Sequence, residues 1–218
     1  MIKKLVEQNK NYIINMRREF HKYPEPSFQE FRTSKRIQEE LTKMGIPFKV
    51  IAGTGVVGFI NKDKKGKKII LRADMDALQV QECTGVEYCS TNIGMMHACG
   101  HDGHTAMLLA FIQEIKLLIS QGTKLKKSLV FIFQAAEEGA GGARFIIADD
   151  YYKSKNIETI YALHVYPVIN VGEFAVKSGF VSLQNIILDI VLTGKGCHGA
   201  QPHKGIDSIL IGAKLVEA

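Results

Sequence analysis

Apolar positions in the first 45 residues fall at helical intervals. Leu5, Tyr12, Ile13, Met16 and Phe20 lie on one face of a stretch covering residues 2–21, which Tyr23-Pro24-Glu25-Pro26 then breaks. Ser27 and Glu30 stand three apart ahead of the next apolar run and have the form of a capping box. They predict a second helix carrying Phe28, Phe31, Ile37, Leu41 and Met44, ending at Gly45 with Pro47 beyond. The rhythm then shortens. Residues 48–52, 56–60 and 69–71 read as strands, with a polar turn over 61–67. A helix over 105–120, a strand over 129–133, a short helix over 142–148 and a strand over 160–163 follow. Helices alternating with apolar strands predict an α/β sandwich, a mostly buried mixed sheet flanked by helices.

The pattern changes after about Lys177. Residues 183–192 alternate, with Ile186, Leu188, Ile190 and Leu192 on one side, and a glycine-rich stretch leads to a helix from about Ser208 that is still running at Ala218. The expected organisation is a catalytic metal-binding domain over 1–180 and the beginning of a second domain over 181–218.

Composition narrows the function classes. The 218 residues are 46% hydrophobic and 23% charged, as in ordinary globular proteins, with no run of apolar residues long enough to span a bilayer and no secretory leader pattern. The expectation is a cytoplasmic protein without a membrane partner. The net charge of +6 is concentrated in KDKKGKK (62–68) and KLKK (124–127), both at expected turns and neither interleaved with aromatic residues, so no nucleic-acid partner is expected. Four scattered cysteines (Cys83, Cys89, Cys99, Cys197) make no disulfide framework.

The densest chemistry lies in GMMHACGHDGHTAMLLA, residues 94–110, where His97, Cys99, His101, Asp102 and His104 crowd ahead of a helix. A thiolate and imidazoles two residues apart suit a divalent metal, and a helix N-terminus favours the ionised thiol. Three other polar sets each follow an apolar strand: Asp74 and Asp76 in RADMD, the pair Glu137-Glu138, and His164. Ligands of open α/β sheets gather at the carboxyl ends of strands, so one crevice can hold all of them. Adjacent glutamates can divide the work, one binding metal and the other taking a proton from water. The donor types suit zinc, manganese, cobalt or nickel alike.

These residues, together with RREFHKYPEPSFQE (17–30), RADMDAL (72–78), FQAAEEGAGGA (133–143), ALHVYP (162–167) and GKGCHGAQPHKGID (194–207), resemble the aminoacylase/carboxypeptidase-type dinuclear metallohydrolases. Within them the chain looks most like the amidohydrolase branch of hippurate hydrolase, indoleacetyl-amino acid hydrolase and N-acetyldiaminopimelate deacetylase. The resemblance implies an α/β catalytic domain interrupted by an α+β lid used for dimerisation or higher homo-oligomerisation. It implies Cys99, His101, Glu138 and His164 as ligands of two divalent cations, with Cys99 between them, and Glu137 as general base. It further implies His198 as an oxyanion donor and Asp74 as an aspartate behind the ligands. The implied reaction is hydrolysis of the amide of an N-acyl amino acid; a dipeptidase or carboxypeptidase would use the same centre. Gln79 stands where the family usually has proline, and Cys197 where it commonly has glycine. Family members also run longer and bring a last histidine ligand from a returning segment. No histidine here matches it, so the alternative is a truncated, non-catalytic product.

Overall fold

The computed structural model describes residues 2–61, 66–149, 156–181 and 188–217. They form two compact units, Met1–Val168 and Ile169–Ala218.

In the first unit, α1 (Ile2–Lys22) and α2 (Phe31–Lys43) precede β1 (Phe48–Ile51), β2 (Gly55–Ile60) and β3 (Lys68–Asp74). Then come α3 (His101–Ser120), β4 (Ser128–Gln134), α4 (Gly142–Ala148) and β5 (Ile157–Ala162). The described strands make one mixed sheet in the order β1-β2-β4-β3-β5. β1, β2 and β4 pair antiparallel, while β4, β3 and β5 run parallel. The crossover from β3 to β4 is α3, as parallel neighbours require. The expected α/β architecture with a mixed sheet is therefore what the chain adopts.

Side chains alternate across the sheet, so each face buries its own cluster. Val56, Ala73, Leu129, Phe131 and Phe133 meet Phe20, Ile37, Leu41, Leu109 and Ile112 from α1, α2 and α3. Val57, Phe59, Ile70, Val130 and Ile132 meet Ile146 of α4 on the other face. Each fully buried side chain of this kind contributes about 1.5–3 kcal/mol. β2 and β4 are buried along their whole length, which explains their near-continuous apolar sequence.

The expected capping box does not form. Ser27 Oγ donates instead to Asp76 Oδ2 at 2.7 Å, and Glu30 is wholly buried without capping the helix. Phe28 between them has φ +62°, which turns the chain away from the box geometry. Glu25 caps α2: its carboxylate accepts the Arg32 and Thr33 amides at 2.9 and 2.8 Å and the Thr33 hydroxyl at 2.8 Å. Phe31, expected on the apolar face, is 67% exposed.

Part of the expected turn over 61–67 lies outside the described residues, as do residues 183–187 of the expected strand over 183–192. Residues 188–192 belong to no strand among those described. In the second unit an antiparallel bridge joins Lys195 to Ile206. A single turn (Pro202–Lys204) and α5 (Ser208–Glu217) complete it, α5 being capped by the Asp207 carboxylate on the Ile209 and Leu210 amides.

Candidate metal centre

Strand order explains the position of the site. β4, β3 and β5 are parallel neighbours, so residues just past their carboxyl ends converge: Asp76 after β3, Glu137 and Glu138 after β4, His164 after β5. α3 starts at His101, four residues earlier than the apolar rhythm predicts, so His101, Asp102 and His104 occupy its first turn. Gly100 before it has φ +86°. A Cβ there would run into Val165 Cγ2, so only glycine lets the helix start approach the segment after β5.

His101 is completely buried. Its Nδ1 donates to the Asp76 carbonyl at 2.8 Å, with Asp76 Oδ1 3.3 Å away. That leaves Nε2 with a lone pair, and it has no hydrogen-bond partner. Asp74 Oδ2, Glu138 Oε1 and Glu137 Oε2 surround it at 3.6, 3.7 and 3.9 Å. Glu138 Oε1 is likewise buried and unpartnered. Cys99 Sγ lies 3.4 Å from His164 Nε2. Donor atoms of Cys99, His101 and His164 lie within 4.8 Å of one another, as do those of His101, Glu137 and Glu138. The sets share His101, and the structure thus brings together Cys99, His101, Glu138 and His164 with Glu137 beside them.

The turn holding the glutamates is tightly constrained. Ala136 has φ +53°, and its amide donates to the buried Glu30 carboxylate at 2.8 Å. The Glu138 amide donates to Asp76 Oδ2 at 3.0 Å. Asp76 thus carries Ser27, Glu138 and His101 at once.

Electrostatics fit the group that such donors imply. Four carboxylates, a thiol and imidazoles converge, while Arg72 pairs with Asp74 at 2.7 Å and donates to Gln134 Oε1 at 2.9 Å. The helix end was expected to ionise Cys99. Instead burial, followed by the nearby carboxylates of Glu138, Asp74 and Glu137, pushes its thiol up to about 12. The partial charge of a helix terminus is too small to outweigh these groups, whereas a divalent cation inverts the balance outright. Burial also raises Glu137, and the Asp74 and Glu138 charges add to it. His101 is raised, because the Asp76 bond and the surrounding carboxylates outweigh burial. Asp74 stays at about 2: burial would raise it, but the His104 hydrogen bond and Arg72 prevail.

His164, just past β5, is exposed. Asp74 does not bond a ligand candidate directly; it accepts from His104 Nδ1 at 2.6 Å. His198 belongs to the second unit, where it is exposed and its Nδ1 accepts the Ala200 amide at 3.1 Å. Sequence reasoning noted Asp76 and His104 among the polar sets but gave neither a role. The signals for them were the two-residue spacing of Asp74 and Asp76 at a strand end and the three-residue spacing of His101 and His104 in a helical turn.

An α/β sheet that gathers a thiol, imidazoles and unpartnered carboxylate at its parallel strand ends defines a protein with a centre for divalent cations. The chain belongs to peptidase family M20/M25/M40, which its residues 70–207 match. Thermostable carboxypeptidase 1 of Saccharolobus solfataricus is 38% identical over 221 residues, covering 100% of this chain and 55% of the relative. Hippurate hydrolase of Campylobacter jejuni is 38% identical over 93% of this chain and 52% of its own length. A solved dinuclear metal-binding peptidase of the M20 family from Bacillus subtilis matches with a TM-score of 0.70 and 39% identity, covering 79% of this chain and 48% of that one. The chain spans about half the length of the curated relatives it matches. No helix among the described residues is long and apolar enough to cross a membrane.

Proposed function

We propose that this chain carries the metal centre of a hydrolase that cleaves the amide bond of N-acyl amino acids. Cys99, His101, Glu138 and His164 would hold the divalent cations. The observation that carries this reading is the pair of buried, unpartnered atoms His101 Nε2 and Glu138 Oε1, 3.7 Å apart and within reach of Glu137. Buried polar atoms without partners are costly, about 1–3 kcal/mol each, and a bound cation removes that cost.

Bound there, the cations would supply Lewis acidity and lower the pKa of water towards about 7. The chain's own residues do the rest. Glu137 is exposed, and among the described residues its carboxylate lies 3.9 Å from His101 Nε2 without a hydrogen bond of its own, so it accepts the proton of the attacking water and returns it to the leaving amine. Asp76 fixes the His101 ring through Nδ1 and sets the Glu138 backbone. His198 takes the oxyanion role on the family pattern of GCHGAQPH; with Nδ1 occupied by the Ala200 amide, its Nε2–H is the donor it offers. The same family pattern supports a homodimer formed through the second unit.

Glu137→Gln tests the reading. Release of amino acid from N-acetyl and N-benzoyl substrates by the metal-loaded enzyme should fall by about 10²–10⁴-fold while metal content stays unchanged. Retained turnover would remove Glu137 from the base role. The identity to Thermostable carboxypeptidase 1 over the whole chain favours a second reading, a peptidase with the same centre. Paired assays on dipeptides and N-acyl amino acids separate the two.

A further inference from the structure

His104 is buried in the first turn of α3, and both of its ring nitrogens are engaged. The Val165 amide is a donor, 2.9 Å from Nε2, so Nε2 must accept. The ring proton is then on Nδ1, donated to Asp74 Oδ1 at 2.6 Å. Asp74, His101 and His104 lie close enough together to form a cation site, yet this arrangement leaves His104 no lone pair for one. The Asp74 backbone is pinned as well, its carbonyl accepting the Thr105 hydroxyl at 2.9 Å.

The other end of this chain of bonds is His164. It follows the edge strand β5 and is exposed. Its orientation comes from Val165. His164 Nδ1 lies 2.6 Å from the Val165 carbonyl, which can only accept, so the proton is on Nδ1 and the lone pair of Nε2 faces Cys99 Sγ at 3.4 Å. Val165 is therefore held at both ends of its backbone, by His104 at the amide and by His164 at the carbonyl. Gly100 leaves room for its side chain, and the His104 and His164 rings lie 4.7 Å apart.

We propose that His104, held by Asp74, is a positioning residue that fixes Val165 and thereby aims Nε2 of His164 at the cation shared with Cys99. The proposal rests on His164 being a metal ligand. Histidine ligands depend on the partner of their second nitrogen, and loss of such partners typically weakens metal binding about 10–100-fold.

The substitutions can separate positioning from bulk. Glutamine places an oxygen where Nε2 sits and can still accept the Val165 amide; asparagine reaches only Asp74. Chelator competition with cobalt(II) and zinc, and the cobalt(II) absorption spectrum, read the site without turnover. His104→Asn should weaken one of the two ions about 10–100-fold and shift the cobalt spectrum, leaving the other ion unchanged, whereas His104→Gln restores most of that loss. Equal weakening in both variants, or none in either, overturns the proposal. His164→Ala identifies the level of failure: if it keeps both ions at wild-type affinity, the metal reading itself is wrong. Should the asparagine variant not unfold cooperatively, long-range ¹H–¹⁵N spectra of the wild-type protein decide, since both His104 and His164 must carry their proton on Nδ1. An Nε2–H form of either overturns the proposal.

Discussion

Glu30, just ahead of α2, and Glu138 are carboxylates that meet at the turn after β4, and they differ in one respect. Glu30 is fully buried with both oxygens used, one by the Thr54 hydroxyl and one by the Ala136 amide. Glu138 has a buried oxygen with no protein partner. A saturated buried carboxylate is a fastening: it ties the loop ahead of α2 to the turn carrying Glu137. An unsaturated one is aimed at something the chain does not itself contain. Burial alone does not mark a functional group; what singles out Glu138 is an unused oxygen 3.7 Å from the equally unpartnered His101 Nε2.

Substitutions can break this contrast, the largest effect coming from the aimed carboxylate. Glu138→Gln should weaken metal binding by more than about 100-fold, beyond the roughly 10–100-fold typical of supporting partners. Glu30→Gln should leave metal affinity unchanged; equal losses in chelator titrations would erase the distinction. Glu30→Leu strands the Ala136 amide and the Thr54 hydroxyl and should cost about 2–6 kcal/mol in denaturant unfolding, at about 1–3 kcal/mol per stranded group. Glu30→Gln keeps an acceptor and a donor and should cost much less. Burial raises the Glu30 carboxyl despite its hydrogen bonds. A raised native value makes its contribution full below the unfolded value and lost as pH climbs through the native one, so the stability of wild type relative to Glu30→Gln should decline with rising pH. A flat difference would show that Glu30 is not held above its usual range. The smallest effect belongs to Glu25→Ala, which uncaps α2 and should cost about 1 kcal/mol.

Periodicity located most of the scaffold. It places α4 at residues 142–148 and the cores of β2 and β4 correctly, because their apolar runs report burial on both faces. It misplaced the start of α3 because His101, Asp102 and His104 are buried polar residues, and an apolar rhythm cannot register them. The capping box failed for a related reason. Ser27 and Glu30 have the right spacing, yet each is drawn to a partner far along the chain, Asp76 and Ala136, and such attraction leaves no local trace. The ligand candidates were legible from donor type and strand-end position. What fixes them, Asp76 beneath His101 and His104 behind Val165, depends on which strands become neighbours, and no stretch of sequence states the order β4-β3-β5.

That order separates the scaffold from the reactive groups. The hydrogen-bonded ladder ends before the ligand candidates begin, and they ride on three connecting segments: Cys99 and His101 on one, Glu138 on a second, His164 on a third. A single codon change in one segment can therefore exchange a thiol for a carboxylate, retuning the preference among cations, without disturbing a rung of the sheet.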